Sequence, residues 1–356
     1  MEKTIEGNAL VYADGAFNTP NGKTAHGLVR FTERYKIVGV IDHQYAGLDA
    51  GIVLDNRYSG IPIFKDLITA IQKLLPENKP ETLVIGLAPD GGRLPTKAKD
   101  TIRSALEMGL NIDNGLHDFL CKDKELMRIA ERNNCRVRDI RKTPDRDELH
   151  FFTGKIEKVD CLKIAVLGTD SALGKRTTAW IIVHALRKAG LKAEMVGTGQ
   201  TAWTQGAKYS MIMDSCINDF VSGEIEHAVY EAWENESPDV IIIEGQGSLM
   251  NPAYPGGFEI LAAGRPDYVI IQHAPRREEY DGFPGYKLHS LPEQINAIET
   301  ISGKKVIAVT VNHELMKEEE ILSECRKITD EIGLPAYDVL AFGSDQLVEL
   351  LRSYLK

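Results

Sequence analysis

Two successive α/β units, each a doubly wound parallel sheet flanked by helices, are what this sequence predicts. Two observations carry that expectation. Short apolar runs alternate with amphipathic stretches along the chain, and the alternation breaks once, at the charged, aperiodic, proline-containing segment 141–160. Strands alternating with helices over short connections build parallel sheets with crossover helices. The length, 356 residues, points the same way, because single hydrophobic cores stop growing near that size. The expected domains are 1–150 and 151–356.

In the first half, NALVYAD (8–14), KIVGVID (36–42), ETLVIGLAP (81–89), LNIDNG and RVRDI read as strands. Helices are expected from about Lys23 to Glu33, over FKDLITAIQKLL, from Thr96 to Met108, and over DKELMRIAERNN. The second half opens with the strand CLKIAVLG (161–168) and the helix KRTTAWIIVHALRKAG. It continues through LKAEMVG, DVIIIEG (239–245), DYVIIQH (267–273), KKVIAVTVN (304–312) and PAYDVLAF as strands, and ends on the helix DQLVELLRSYL. No internal repeat or low-complexity tract interrupts this order.

Composition narrows the function classes. Forty-two basic against 52 acidic residues give a net charge of −10, and no Lys/Arg run gathers, so neither nucleic acid nor anionic membrane is an expected partner. The amino terminus lacks a signal-peptide core and no apolar run approaches the roughly 18 residues of a membrane span, so the expected location is the cytosol. Five scattered cysteines never form C-x-x-C, which argues for reduced thiols and against a disulfide framework or zinc site. No bound metal is expected, and a homo-oligomer is the expected assembly.

The strongest motif is LKIAVLGTDSALGKRTTAW, in which an apolar strand ends at Gly168 and Gly174-Lys175 opens a helix. Glycines let backbone N–H groups converge on phosphate oxygens, the helix dipole adds positive potential, and an exposed Lys175 would neutralise charge. Gly168, Thr169, Asp170, Ser171, Gly174, Lys175, Arg176, Thr177 and Thr178 are therefore the expected nucleotide-binding residues. The loop departs from G-x-x-x-x-G-K-[ST]: five residues separate its glycines, and Arg176 stands where the magnesium-binding hydroxyl is expected. It resembles the loop of dethiobiotin synthetase. The competing reading is an ordinary Gly-rich strand-to-helix turn.

Ligands of doubly wound sheets bind outside the carboxyl ends of the strands, so polar residues there should converge on one crevice. They include the 197–201 run with Gln200, the 244–248 run with Glu244 and Gln246, and Gln272-His273 followed by Arg276 and Arg277. Glu244 is a cation ligand or base, against a loop salt bridge; His273 is a proton carrier, against a merely hydrogen-bonded ring. Asp214 and Asp219 precede a helix whose first turn holds Glu224, either as caps or in contact with substrate. In the first half, Gly22-Lys23-Thr24 also follows a Gly-rich loop and Asp42 ends the second strand, but the dinucleotide fingerprint G-x-G-x-x-G is absent. Lys23, Asp42 and the 87–95 loop are candidate walls of an interdomain pocket.

GTDSALGKRTTA, VGTGQTAW, NDFVSGEIE, IIIEGQGSLMNPAY and QHAPRREEYDGFP in the second half, with AGLDAG, IGLAPDGGRLP and NGLHDFL in the first, resemble the DgcN-type family. That resemblance implies a Rossmann-like first domain, a P-loop-like second one, and N-acetylation of D-glutamate by acetyl-CoA. An acyl transferase needs a base for the amine and donors for the oxyanion. His273 or Glu244 is the candidate base, Gln246 or the Gly245–Gly247 backbone the oxyanion donor, and Arg276 or Arg277 the carboxylate clamp. Gln200 and Asp219 are further substrate-binding candidates. The alternatives are an ATP- and Mg²⁺-dependent ligase or kinase, and a non-catalytic nucleotide sensor.

Overall fold

A computed structural model describes residues 5–355 and divides the chain into two compact units. The first comprises the chain up to Thr143 together with Gln200–Ala207; the second comprises Pro144–Gly199 and the chain from Lys208 onward.

The first unit carries strands β1 (Asn8–Tyr12), β2 (Lys36–Ile41), β3 (Ile63–Phe64), β4 (Thr82–Ile85), β5 (Asn111–Asn114) and β6 (Val137–Asp139). Its helices are α1 (Lys23–Arg30), α2 (Ala50–Asp55), α3 (Leu67–Lys73), α4 (Thr96–Glu107) and α5 (Lys124–Arg132). All strand pairs are parallel, in the order β3-β2-β1-β4-β5-β6. Apolar layers cover both faces of this sheet: Leu10, Leu83, Ile102, Leu106 and Ile112 in one, Val11, Phe17, Leu28 and Val40 in the other.

The second unit carries β7 (Leu162–Gly168), α6 (Lys175–Lys188) and β8 (Ala193–Gly197). Helix α7 (Gln200–Thr204) lies in the segment that belongs to the first unit. Then come β9 (Tyr209–Ser210), α8 (Asn218–Glu236), β10 (Val240–Glu244), α9 (Gly257–Gly264), β11 (Tyr268–His273), α10 (Leu291–Ser302), β12 (Lys305–Val311), α11 (Glu318–Ile332), β13 (Ala336–Tyr337), α12 (Val339–Phe342) and α13 (Asp345–Arg352). The sheet order is β13-β12-β11-β7-β10-β8-β9, again wholly parallel. Every residue of β7 and of β10 is buried, as expected of central strands covered on both faces. Because β10 and β11 flank β7 on opposite sides, the loops after all three strands open at one edge of the sheet.

The expected fold class is the observed one, with local differences that have physical causes. The first helix stops at Arg30, where Phe31 turns extended and its carbonyl accepts from Gln205 Nε2. PAYDVLAF is a strand for only two residues: the Asp338 carboxylate accepts from the N–H groups of Leu340 and Ala341 and turns the remainder into α12. Helix α8 starts at Asn218, so Asp219 lies in its first turn and Glu224 in its second. Among the described residues, no helix is long and apolar enough to cross a membrane.

Candidate functional site

The phosphate loop is shaped by its glycines. Gly174 has φ 92°, a left-handed conformation that a side chain would strain, and it starts α6 without any side-chain cap. At Gly168 a Cβ would stand 2.9 Å from Lys175 Cδ and 3.2 Å from Nζ, so its absence lets the lysine fold over the loop. Lys175 is only 6 % exposed and its ammonium donates to the Asp170 carbonyl at 2.6 Å, contrary to the exposed lysine expected from sequence. Thr178 is committed elsewhere: its hydroxyl donates to Gln272 Oε1 at 2.6 Å, which also accepts from Thr310 at 2.7 Å. Thr177 stays half-buried, and no protein hydrogen bond to its hydroxyl is found among the described residues.

Asp170 serves the loop's architecture. It is fully buried and its carboxylate accepts from four donors: Ser171 N at 2.7 Å, Asn251 Nδ2 at 2.8 Å, Arg277 Nη1 at 2.9 Å and Asp281 N at 2.8 Å. It thereby ties the phosphate loop to the loops after β10 and β11. The Ser171 hydroxyl is likewise turned to Asp281, at 3.0 Å.

Arg277 spends its fork on this scaffold. Beyond Asp170 it donates to the Ser171 carbonyl at 2.8 Å and, bidentately, to Glu314 at 2.7 Å for each bond. Arg276 is exposed, with Glu320 at 3.8 Å and Glu324 at 4.0 Å. The guanidinium next to the loop is thus already satisfied by protein carboxylates, and the open one faces outward.

Glu244 ends β10, the neighbour of β7, and is 5 % exposed. Its Oε2 accepts from Thr198 N at 2.8 Å. Burial raises its pKa, while the charges of Arg176 and Lys175 pull the other way. A Cβ on the following Gly245 would meet the Val166 carbonyl at 2.3 Å, so glycine is required for this close approach to β7. Gln246 donates its amide to the Thr198 carbonyl at 3.0 Å, which commits part of the expected oxyanion donor.

His273 ends β11, with Nδ1 3.1 Å from the Thr169 hydroxyl. Burial, helped by the Arg277 charge, pushes its pKa down to about 4, so the ring is neutral at physiological pH and weakly basic. It lines a cavity of about 450 Å³ with Arg277, Lys287, His289, Leu291 and Ile328.

Gln200 belongs to the first unit, where its amide donates to the Thr24 and Thr201 hydroxyls at 2.8 and 2.7 Å. Asp219 is exposed in the first turn of α8, where it complements the helix dipole. Glu224 instead accepts from the backbone N–H of His150 at 2.7 Å. In the first unit, Asp42 is fully buried and accepts from Phe17 N at 3.0 Å and Gln44 N at 2.7 Å. Phe17 thus fills the Gly-rich loop, and Asp42 anchors that filling rather than standing open to a ribose. Lys23 is exposed, and Arg93, 79 % exposed, pairs with Asp118.

Sequence reasoning missed Asn251, Asn312, His313, Glu314 and Asp338. The rule that located the others, polar residues at carboxyl ends of strands, would have reached Asn312-His313-Glu314 had it been carried past β12. Asn251 is 81 residues along the chain from Asp170, and Asp338 is 25 from His313, so no local pattern marks either pairing.

Residues 150–348 match the domain of unknown function described as the DUF1611 C-terminal P-loop domain, and residues 43–143 match its N-terminal Rossmann-like domain. A D-glutamate N-acetyltransferase of Tritonibacter scottomollicae is 31 % identical over 279 residues, spanning 77 % of this chain and 81 % of that protein. One from a Pseudoalteromonas species is 31 % identical over 278 residues, 75 % and 80 % of the two chains. A crystal structure of a DUF1611 family protein from Anabaena variabilis superposes with a TM-score of 0.88 at 27 % identity, covering 97 % of this chain and 99 % of that one. The Tritonibacter and Pseudoalteromonas relatives carry the name D-glutamate N-acetyltransferase, and the family resemblance read from the motifs holds.

Proposed function

The chain belongs to the DUF1611 family of paired Rossmann-like and P-loop domains, and from that premise we propose that it transfers acetyl from acetyl-CoA to the amino group of an amino acid, D-glutamate first. The 31 % identity to two proteins of that name, over three quarters of the chain, carries the reading. The loop fits the phosphates of the acyl donor: α6 starts uncapped, Gly174 opens the turn, and Lys175 supplies the charge. Acyl transfer needs no polarised phosphoryl group, which suits Arg176 in the place of the usual magnesium hydroxyl. Acetyl transfer screened by mass spectrometry over D- and L-amino acids tests the reading. Acetylated D-glutamate is the expected product, and the absence of any acetylated amino acid would reject it.

A second reading is an ATP- and Mg²⁺-dependent ligase or kinase. It is favoured by one observation, the Glu244 carboxyl at the end of the strand beside the phosphate loop, among the charges of Arg176 and Lys175. Metal dependence separates the two: EDTA leaves acetyl transfer nearly unchanged and abolishes phosphoryl chemistry.

A further inference from the structure

We propose that His313, oriented by Asp338, is the general base that takes the proton from the acceptor amine; the assignment rests on the acyl-transfer reading. Both residues follow the carboxyl ends of strands, β12 and β13, at the sheet edge where the phosphate loop opens. Asn312 ties that position to the site: its N–H donates to the His273 carbonyl at 2.7 Å and its amide to the Leu173 carbonyl of the phosphate loop at 2.9 Å.

The dyad has the geometry of a base. His313 Nδ1 lies 2.6 Å from Asp338 Oδ2, and Asp338 is 1 % exposed. The other carboxylate oxygen accepts from Leu340 N at 3.2 Å and Ala341 N at 2.9 Å, which fixes the carboxylate in place. A carboxylate has only acceptors to offer, so Nδ1 is the donor and the lone pair is left on Nε2. The His313 side chain is 35 % exposed, and among the described residues Nε2 has no protein partner.

The backbone beside it is a closed turn: Met316 N–H donates to the His313 carbonyl at 3.0 Å, with Leu315 at its third position, φ 60° and 86 % exposed. Position also fits. His313 lies two strands from β7, roughly 10 Å at about 4.8 Å per strand, and the reactive carbon of a nucleotide thioester lies at the far end of an arm from its phosphates.

The ammonium first loses one proton to water. As the amine nitrogen bonds to the carbonyl carbon it becomes cationic, and Nε2 takes its remaining excess proton. Collapse of the oxyanion breaks the C–S bond, and the imidazolium returns the proton to the departing thiolate. Amide, thiol and one released proton balance ammonium and thioester.

His313→Ala should lower kcat for acetyl transfer about 100-fold while KM changes less than about threefold, and added imidazole should restore part of the lost rate. Asp338→Asn should also lower kcat, because its amide donates to Nδ1 and forces the proton onto Nε2. If that change disturbs the α12 cap and the protein does not fold, His313→Gln supplies the second variant. A kcat within threefold of the parent in His313→Ala, or no response to imidazole, overturns the assignment. Carbethoxylation of the unmodified protein, mapped by peptide mass spectrometry, separates the two ideas. CoA should protect His313. Protection without acetyl transfer to any amine means that the acyl-transfer reading has failed and the dyad still borders the thiol nucleotide's site, whereas no protection by CoA overturns the dyad's place in that site.

Discussion

Lys175 and His273 illustrate how single side chains are set by what surrounds them. The lysine lies over the phosphate loop instead of pointing into solvent, so Lys175→Ala removes a charge-assisted contact and should weaken CoA binding by about 1.5–3 kcal/mol, read by calorimetric titration. Unchanged affinity for both CoA and ATP would remove this loop from the site. His273 makes a prediction in pH. Its folded pKa of about 4 lies below the ordinary 6.5, so between those values the unfolded chain binds a proton that the folded chain does not. Its contribution to stability is complete above pH 6.5 and is lost as the pH falls toward 4. His273→Gln should flatten the fall of melting temperature across that window; an unaltered slope contradicts the assignment. Glu244 is shifted in the opposite sense. A carboxyl raised above 4.5 in the folded state costs stability as the pH rises past that value, so Glu244→Gln should melt higher than the parent at pH 7, by a margin that shrinks on acidification.

At the scale of elements, Asp170 decides the arrangement of the loops. Its four bonds hold the phosphate loop, the turn at Asn251 and the segment at 277–281, and Arg277 passes the connection on to Glu314 after β12. Asp170→Ala leaves the Arg277 guanidinium, 14 % exposed, without one of its two carboxylates and should cost about 3–5 kcal/mol in denaturant unfolding. A loss below 1 kcal/mol would mean that the loops hold one another without it. The elements themselves were largely legible, because buried parallel strands read as uniform apolar runs and the phosphate loop has a local signature. The partnerships were not. Asp170 reads as a phosphate-loop residue until Asn251, Arg277 and Asp281 are brought to it, and Arg277 reads as a substrate clamp until Glu314 is seen to occupy it. Strands of two residues, such as β3 and β9, carry too little periodicity to be found, and Asp338 looks like part of a strand until it caps a helix.

The described residues form two sheets, but the two units are not two consecutive stretches of chain, because Gln200–Ala207 belongs with the first. Within that unit the Trp203 ring lies 3.7 Å from the Arg34 guanidinium carbon and 4.6 Å from that of Arg138, and Gln205 donates to the carbonyls of Gly27 and Phe31 at 2.8 and 2.9 Å. A fragment ending near residue 150 would lack this piece. Trp203→Ala should destabilise the first unit by about 3 kcal/mol, visible as an earlier unfolding transition; an unchanged transition would make the segment a passive passenger. Acyl transfer without a metal is read out by incubation with acetyl-CoA, D-glutamate and excess EDTA, followed by mass spectrometry. N-acetylglutamate should form at nearly the rate seen without chelator. No acetylated product from any amino acid, with Mg²⁺-dependent consumption of ATP in its place, would contradict it.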